Sequence, residues 1–166
     1  LMDATTMTFS VPPSGQCAQR SLCRPTLSLA EMGLLLGMAA LLVLAWFGPV
    51  LPASEHQHAF ADQRGLWGIP CALDVLSNLP FAIAGLWGLV ALRRVPHGML
   101  DTASRALATL FCAGLLCTAV GSTVYHWQPQ NAGLLWDRLG MVLPFAGLLG
   151  LAAAGRVSAR AGWATA

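Results

Sequence analysis

Lysine is missing from this 166-residue chain, and charge of either sign is scarce: nine arginines and seven acids amount to only 10% of the residues. Soluble domains carry roughly 25% charged residues, so an ordinary water-facing surface is excluded. The formal net charge is +2 and no basic run exceeds the adjacent pair Arg93 and Arg94. That excludes the basic stripe a nucleic-acid partner needs. Five cysteines occur but no CxxC pair, which removes the familiar redox and zinc-ribbon motifs. Cys112 and Cys117 lie inside an apolar stretch and read as small apolar side chains. Cys17 and Cys23 fall in a polar leader. No internal repeat is present, and the apolar runs do not alternate with polar residues as a membrane barrel would require.

What remains is apolar: 56% of the residues are hydrophobic. Four runs, 32–51, 72–92, 106–126 and 132–155, are each long enough for a hydrocarbon core about 30 Å thick, which takes roughly 20 helical residues. Backbone exposed to lipid must satisfy its own hydrogen bonds, so these runs are predicted to be helices. The first run is free of charge and ends at Pro49 and Pro52. The second closes at Arg93 and Arg94. The third follows Asp101 and Thr102, good capping residues, and the fourth ends at Arg156. The fold class is therefore all-α, a polytopic transmembrane helix bundle.

Residues 1–30, rich in Ser, Thr, Pro and Gln, read as a flexible polar leader, and 31–166 as the membrane domain. Met7 and Met32 are alternative starts. The first run exceeds a signal-peptide core of roughly 7–15 residues, so a cleaved signal is the weaker reading. The tail "RVSARAGWATA" is too short and too polar for a fifth span. Arginines set the orientation. Arg20, Arg24, Arg93, Arg94, Arg105, Arg156 and Arg160 fall on one side; on the other, loop 52–71 has only Arg64 against Glu55 and Asp62, and 127–131 has none. The positive-inside rule then puts the N-terminus in the cytoplasm and both of those loops outside.

Ionisable residues inside a span cost about 2.5–3.5 kcal/mol at a helix centre and need a reason. Here they are Asp74, His126, Asp137 and Arg138. Asp74, Ser77, Asn78 and Phe81 follow i, i+3, i+4, i+7 spacing, which predicts one polar face bonding across helices, beside a kink at Pro80. Ser122 and His126 are i and i+4 and point the same way. The turn through Gln128, Pro129, Gln130 and Asn131 leads straight into the next helix, which brings Asp137 to a depth similar to that of His126. The plainer account makes His126 interfacial, puts Tyr125, Trp127 and Trp136 in an aromatic belt, and pairs Asp137 with Arg138. Adjacent helical residues diverge by about 100°, which weakens that pairing.

Two chemistries suit a hydroxyl, an imidazole and a carboxylate at one place. One is a Ser122 nucleophile with His126 as base and Asp137 orienting it. The other is metal-assisted hydrolysis, with His126 on zinc, Asp137 handling the proton and Ser122 donating to an oxyanion. The second needs two more ligands. His56 and His58 in "EHQHAF" are weakly specified as a pair, being alternate residues of a loop.

Ser122-x3-His126 with Asp137 eleven residues after the histidine resembles the motif of the alkaline ceramidase family, within the CREST group of intramembrane hydrolases and related receptors. The pair Ser77 and Asn78 in "DVLSNLPFAIAGLWGL", with "HAFADQRGLWGIP" ahead of it, is similar to the bacterial branch. The resemblance covers residues 58–155, about 60% of the chain. It implies a larger, seven-helix-type bundle holding zinc through three histidines, in a bacterial inner membrane. Its substrates would be ceramide-like N-acyl sphingoid lipids, cleaved to a fatty acid and a sphingoid base. By position, His126 would be a zinc ligand, Asp137 the proton-transfer group and Ser122 the oxyanion donor. The family's other two zinc histidines form an HxxxH pair on its last helix, and no histidine follows His126 here. The expectation is then an N-terminal portion of a longer protein, with little activity alone. The family's acidic calcium loop is not matched: Asp62 is the one acid clearly in place, and Cys71 offers no oxygen. A non-catalytic receptor of the same superfamily and a purely structural helical membrane protein are the alternatives.

Overall fold

The computed structural model describes residues 26–50, 52, 54 and 56–166. Most of the expected leader lies outside them, with Cys17, Cys23, Arg20 and Arg24. The helices are α1 (Leu29–Phe47), α2 (Ala72–Leu76), α3 (Leu79–Arg94), α4 (Thr102–Trp127), α5 (Asn131–Arg156) and α6 (Ala159–Thr165). Four stretches are long and apolar enough to cross a bilayer: α1, α2 with α3, α4, and α5. The chain is an all-helical membrane protein.

The ends of these helices follow from local chemistry. Helix α1 starts at Leu29, three residues before the expected run, because Ser28 and Glu31 form a capping box. The Ser28 hydroxyl accepts from the Glu31 amide at 3.2 Å, and the Glu31 carboxylate accepts from the Ser28 amide at 2.9 Å. It ends at Gly48, ahead of Pro49 rather than at residue 51. The second span, Ala72–Arg94, is distorted at Ser77 and Asn78, which keep right-handed helical angles between α2 and α3. There Ser77 Oγ and Asn78 Nδ2 both donate to the Asp74 carbonyl, at 2.7 and 3.1 Å. The predicted interhelical polar face is thus corrected: these side chains compete for local backbone instead. Pro80 stands in the first turn of α3, just past this distortion, where a missing N–H is harmless.

Asp101 caps α4, its carboxylate accepting from the Ser104 amide at 2.9 Å. Arg105 does more than set orientation. Its guanidinium donates to the carbonyls of Leu92, Val95 and Pro96 at 2.9, 3.0 and 3.1 Å, satisfying the open end of α3. Tail residues 159–165, given no element by the sequence, form α6, whose cap Ser158 accepts from the Ala161 amide. Helix α6 lies against α5, where a Cβ on Gly162 would stand 2.8 Å from the Gly150 carbonyl oxygen.

The α4–α5 hairpin is the centre of the molecule. Its close approaches pair positions mirrored about Pro129: Gly133 on Tyr125, Gly121 on Asp137, Gly140 on Thr118, Gly114 on Pro144, and Gly147 on Phe111. The glycines recur every seven residues on each helix, a period that keeps one seam facing its neighbour. Small residues let helix backbones meet closely in lipid, where no hydrophobic force drives them together.

Pro144 lies inside α5 and is buried. Having no N–H, it leaves the Gly140 carbonyl without its intrahelical donor. Thr118 of α4 stands in, with Oγ1 at 3.0 Å from Gly140 O and also 3.0 Å from Gly114 O. Thr118→Val keeps the shape and removes the donor. It is expected to lower stability by about 1–2 kcal/mol, read as an earlier midpoint in detergent unfolding. An unchanged midpoint would mean that Gly140 O finds another donor.

Candidate functional site

Ser122 and His126 occupy the last two turns of α4, and Asp137 the second turn of α5. Ser122 is buried at 8% exposure; His126 and Asp137 are half-buried. Ser122 follows Thr118 by one turn, and Asp137 precedes Met141 by one turn. Thr118 and Met141 line one apolar cleft, so helical periodicity puts Ser122 and Asp137 on that same side of the hairpin. Depth differs from expectation. Because the hairpin mirrors about Pro129, Asp137 lies level with Gly121 and Ser122, and His126 stands level with Ala132. Asp137 is five residues beyond Ala132, which sets it about 7.5 Å deeper than His126 at 1.5 Å per residue.

No hydrogen bond or ion pair among the described residues joins Ser122, His126 and Asp137 to one another, and none joins Asp137 to Arg138. The local pair is therefore absent, as expected from the divergence of neighbouring side chains. His126 Nδ1 is buried and has no hydrogen-bond partner. That is a costly position for a polar atom and marks it as a place where a ligand could bind. Among the described residues, no group of three His, Cys, Asp or Glu side chains could hold a metal. On this chain His126 fits a zinc ion as one ligand, and the set as a whole does not fit it.

Tyr125 corrects a second expectation. Placed in the aromatic belt by sequence, it is 4% exposed and faces the loop between α1 and α2. Trp127 and Trp136 are exposed, as a belt requires. The Tyr125 hydroxyl donates to the Gln57 carbonyl at 2.9 Å and lies 3.0 Å from His58 Nδ1. His58 Nε2 is 3.0 Å from Asn131 Oδ1, which also accepts from Gln57 Nε2 at 3.2 Å. The hydroxyl proton goes to Gln57 O, which leaves the Tyr125 oxygen to accept from His58 Nδ1, and Gln57 Nε2 also lies 3.4 Å from His58 Nε2. Phe60 then covers His126, with ring centroids 4.6 Å apart, and meets Tyr125 edge-on at 5.4 Å.

His58 is thus no ligand paired with His56 but a link between the loop and the hairpin. The sequence carried a signal for this: Tyr125 is the only tyrosine in the chain, and a buried hydroxyl needs a partner. Nearby, Asp62 is held by Arg64 through Nε–Oδ1 and NH2–Oδ2 contacts of 2.8 and 3.1 Å. Those hydrogen bonds pull its carboxyl below the ordinary range, and they leave it engaged. Compared with known protein families, curated proteins and solved structures, the chain matches none.

Proposed function

We propose that this chain carries part of an intramembrane amide hydrolase of the alkaline ceramidase type, with its N-terminus in the cytoplasm of a bacterial inner membrane. The observation that carries the reading is the buried, unpartnered Nδ1 of His126, one turn above Ser122 on the side of the hairpin that bears Asp137. The apolar cleft of about 260 Å³ below them has Phe81, Phe111, Leu115, Met141, Phe145 and Leu148 in its walls. That lining suits one hydrocarbon chain of an N-acyl sphingoid lipid.

In this reading water adds to the amide carbonyl carbon and the C–N bond breaks, giving a fatty acid and a sphingoid amine. Asp137 takes the proton of the attacking water and passes it to the leaving nitrogen. Ser122 donates to the oxygen that becomes negative. The zinc implied by the family resemblance needs two ligands beyond His126. The activity is accordingly proposed for a polypeptide or assembly that adds them.

The test is zinc content and hydrolysis of a fluorescent ceramide by such a species purified in lipid nanodiscs. His126→Ala is expected to remove bound zinc and hydrolysis together, with helix content unchanged. Full zinc occupancy in His126→Ala would overturn the ligand assignment. Zinc binding by the unsubstituted protein without any amide cleavage would move the reading to a non-catalytic receptor.

A further inference from the structure

We infer that residues 57–60 form a lid over His126, fastened by one clasp at Gln57 and His58. Between α1 and α2 no helix occurs among the described residues of 48–71, and connections of that length are commonly lids or binding loops. Most of this one, 61 and 63–68, is exposed. The part that folds inward is short: Gln57, His58 and Phe60.

All of its side-chain ties to the helices end on two residues. Tyr125 at the close of α4 meets Gln57 O and His58 Nδ1; Asn131 at the start of α5 meets Gln57 Nε2 and His58 Nε2. Beneath this clasp Phe60 lies on the His126 ring, and the atom left without a partner there is His126 Nδ1. A polar atom buried under a segment held at two points becomes available when that segment lifts. Both anchors sit at helix ends, Tyr125 two residues and Asn131 none from a terminus; the lid holds Tyr125 by its hydroxyl, whereas Gly133 packs on its Cα and ring, so the lid can lift while that packing stays. The inference rests on the hydrolase reading only for what passes beneath the lid.

Two measurements on the chain in nanodiscs test this, and neither uses metal or substrate. Backbone hydrogen exchange at Gln57 and Ala59, whose amides donate to Ser54 O and His56 O within the loop, reads whether the clasp holds the segment in its fold. Relaxation of the His126 ring protons by a water-soluble gadolinium chelate reads the cover, with exposed His56 and His97 as internal standards. In the unsubstituted chain the segment is expected to be protected and His126 to be relaxed far less than His56. Asn131→Ala and Tyr125→Phe each remove bonds worth about 1 kcal/mol apiece, so exchange should quicken by about fivefold or more. Phe60→Ala should raise His126 relaxation toward that of His56 while leaving the clasp in place. Exchange at unstructured rates in the unsubstituted chain would overturn the lid. So would clasp variants that leave both readings unchanged. A lid confirmed here, with no ceramide cleavage by a zinc-loaded species that carries this chain, would leave the device standing and the hydrolase reading refuted.

Discussion

In a species that carries this chain and hydrolyses a fluorescent ceramide, Asp137→Asn is expected to slow turnover by about 10²–10⁴-fold, the range a positioned acid–base group contributes. The substitution preserves shape and hydrogen-bonding capacity but cannot accept a proton from water. Substrate affinity and zinc content should stay as they were, since neither role falls to Asp137. Stability gives an independent check. Asp137 is half-buried within a span and makes no hydrogen bond or ion pair among the described residues. Keeping a charge there is costly, so the neutral amide should unfold no earlier than the parent, and later if anything changes. A carboxylate retained for packing would show the reverse: near-normal turnover with an earlier midpoint. Retained hydrolysis would remove Asp137 from the mechanism.

Gly140→Leu is expected to separate α4 from α5. A Cβ at Gly140 would stand 2.8 Å from the Cys117 carbonyl oxygen and 3.1 Å from Thr118 Cα. Both are backbone atoms, which cannot swing aside as a side chain would. The helices must part or slide, and either motion also draws Thr118 away from the Gly140 carbonyl that Pro144 leaves open. Overpacking typically costs about 1–3 kcal/mol, and the lost hydrogen bond adds to it, so a loss of about 3 kcal/mol or more is expected. Steric-trap unfolding in bicelles measures it. Gly155→Leu is the control, because nothing lies within 4 Å of a Cβ there. Equal midpoints for the two variants would show that the glycine seam does not hold the hairpin together.

The four spans were legible because a bilayer has one thickness and its helices must match it. Their ends were legible where arginine marked them, as at Arg94 and Arg156, whereas the first run, read as far as 51, stops ahead of Pro49. The i, i+4 register of Ser122 and His126 was legible for a similar reason, since helix geometry alone sets it. The local bonding of Ser77 and Asn78 was not, because a hydroxyl or amide can bond either to its own turn or to another helix and spacing is the same in both cases. The depth of Asp137 was misjudged by about 7.5 Å because it depends on where the hairpin folds over. That point is fixed by glycines, whose contribution is the side chain they lack. The clasp at His58 was least legible of all: its partners Tyr125 and Asn131 stand 67 and 73 residues away, and no local period connects them.

Helix α1 joins the rest through little more than Glu31, whose carboxylate accepts from Ser158 Oγ at 2.6 Å and from Arg160 at 3.3 Å. Only 6% of its apolar window is buried within the structure. Whatever tension α1 bears from the bilayer therefore reaches the hairpin chiefly through that one carboxylate and α6, so Glu31→Ala is the single change that would uncouple the two.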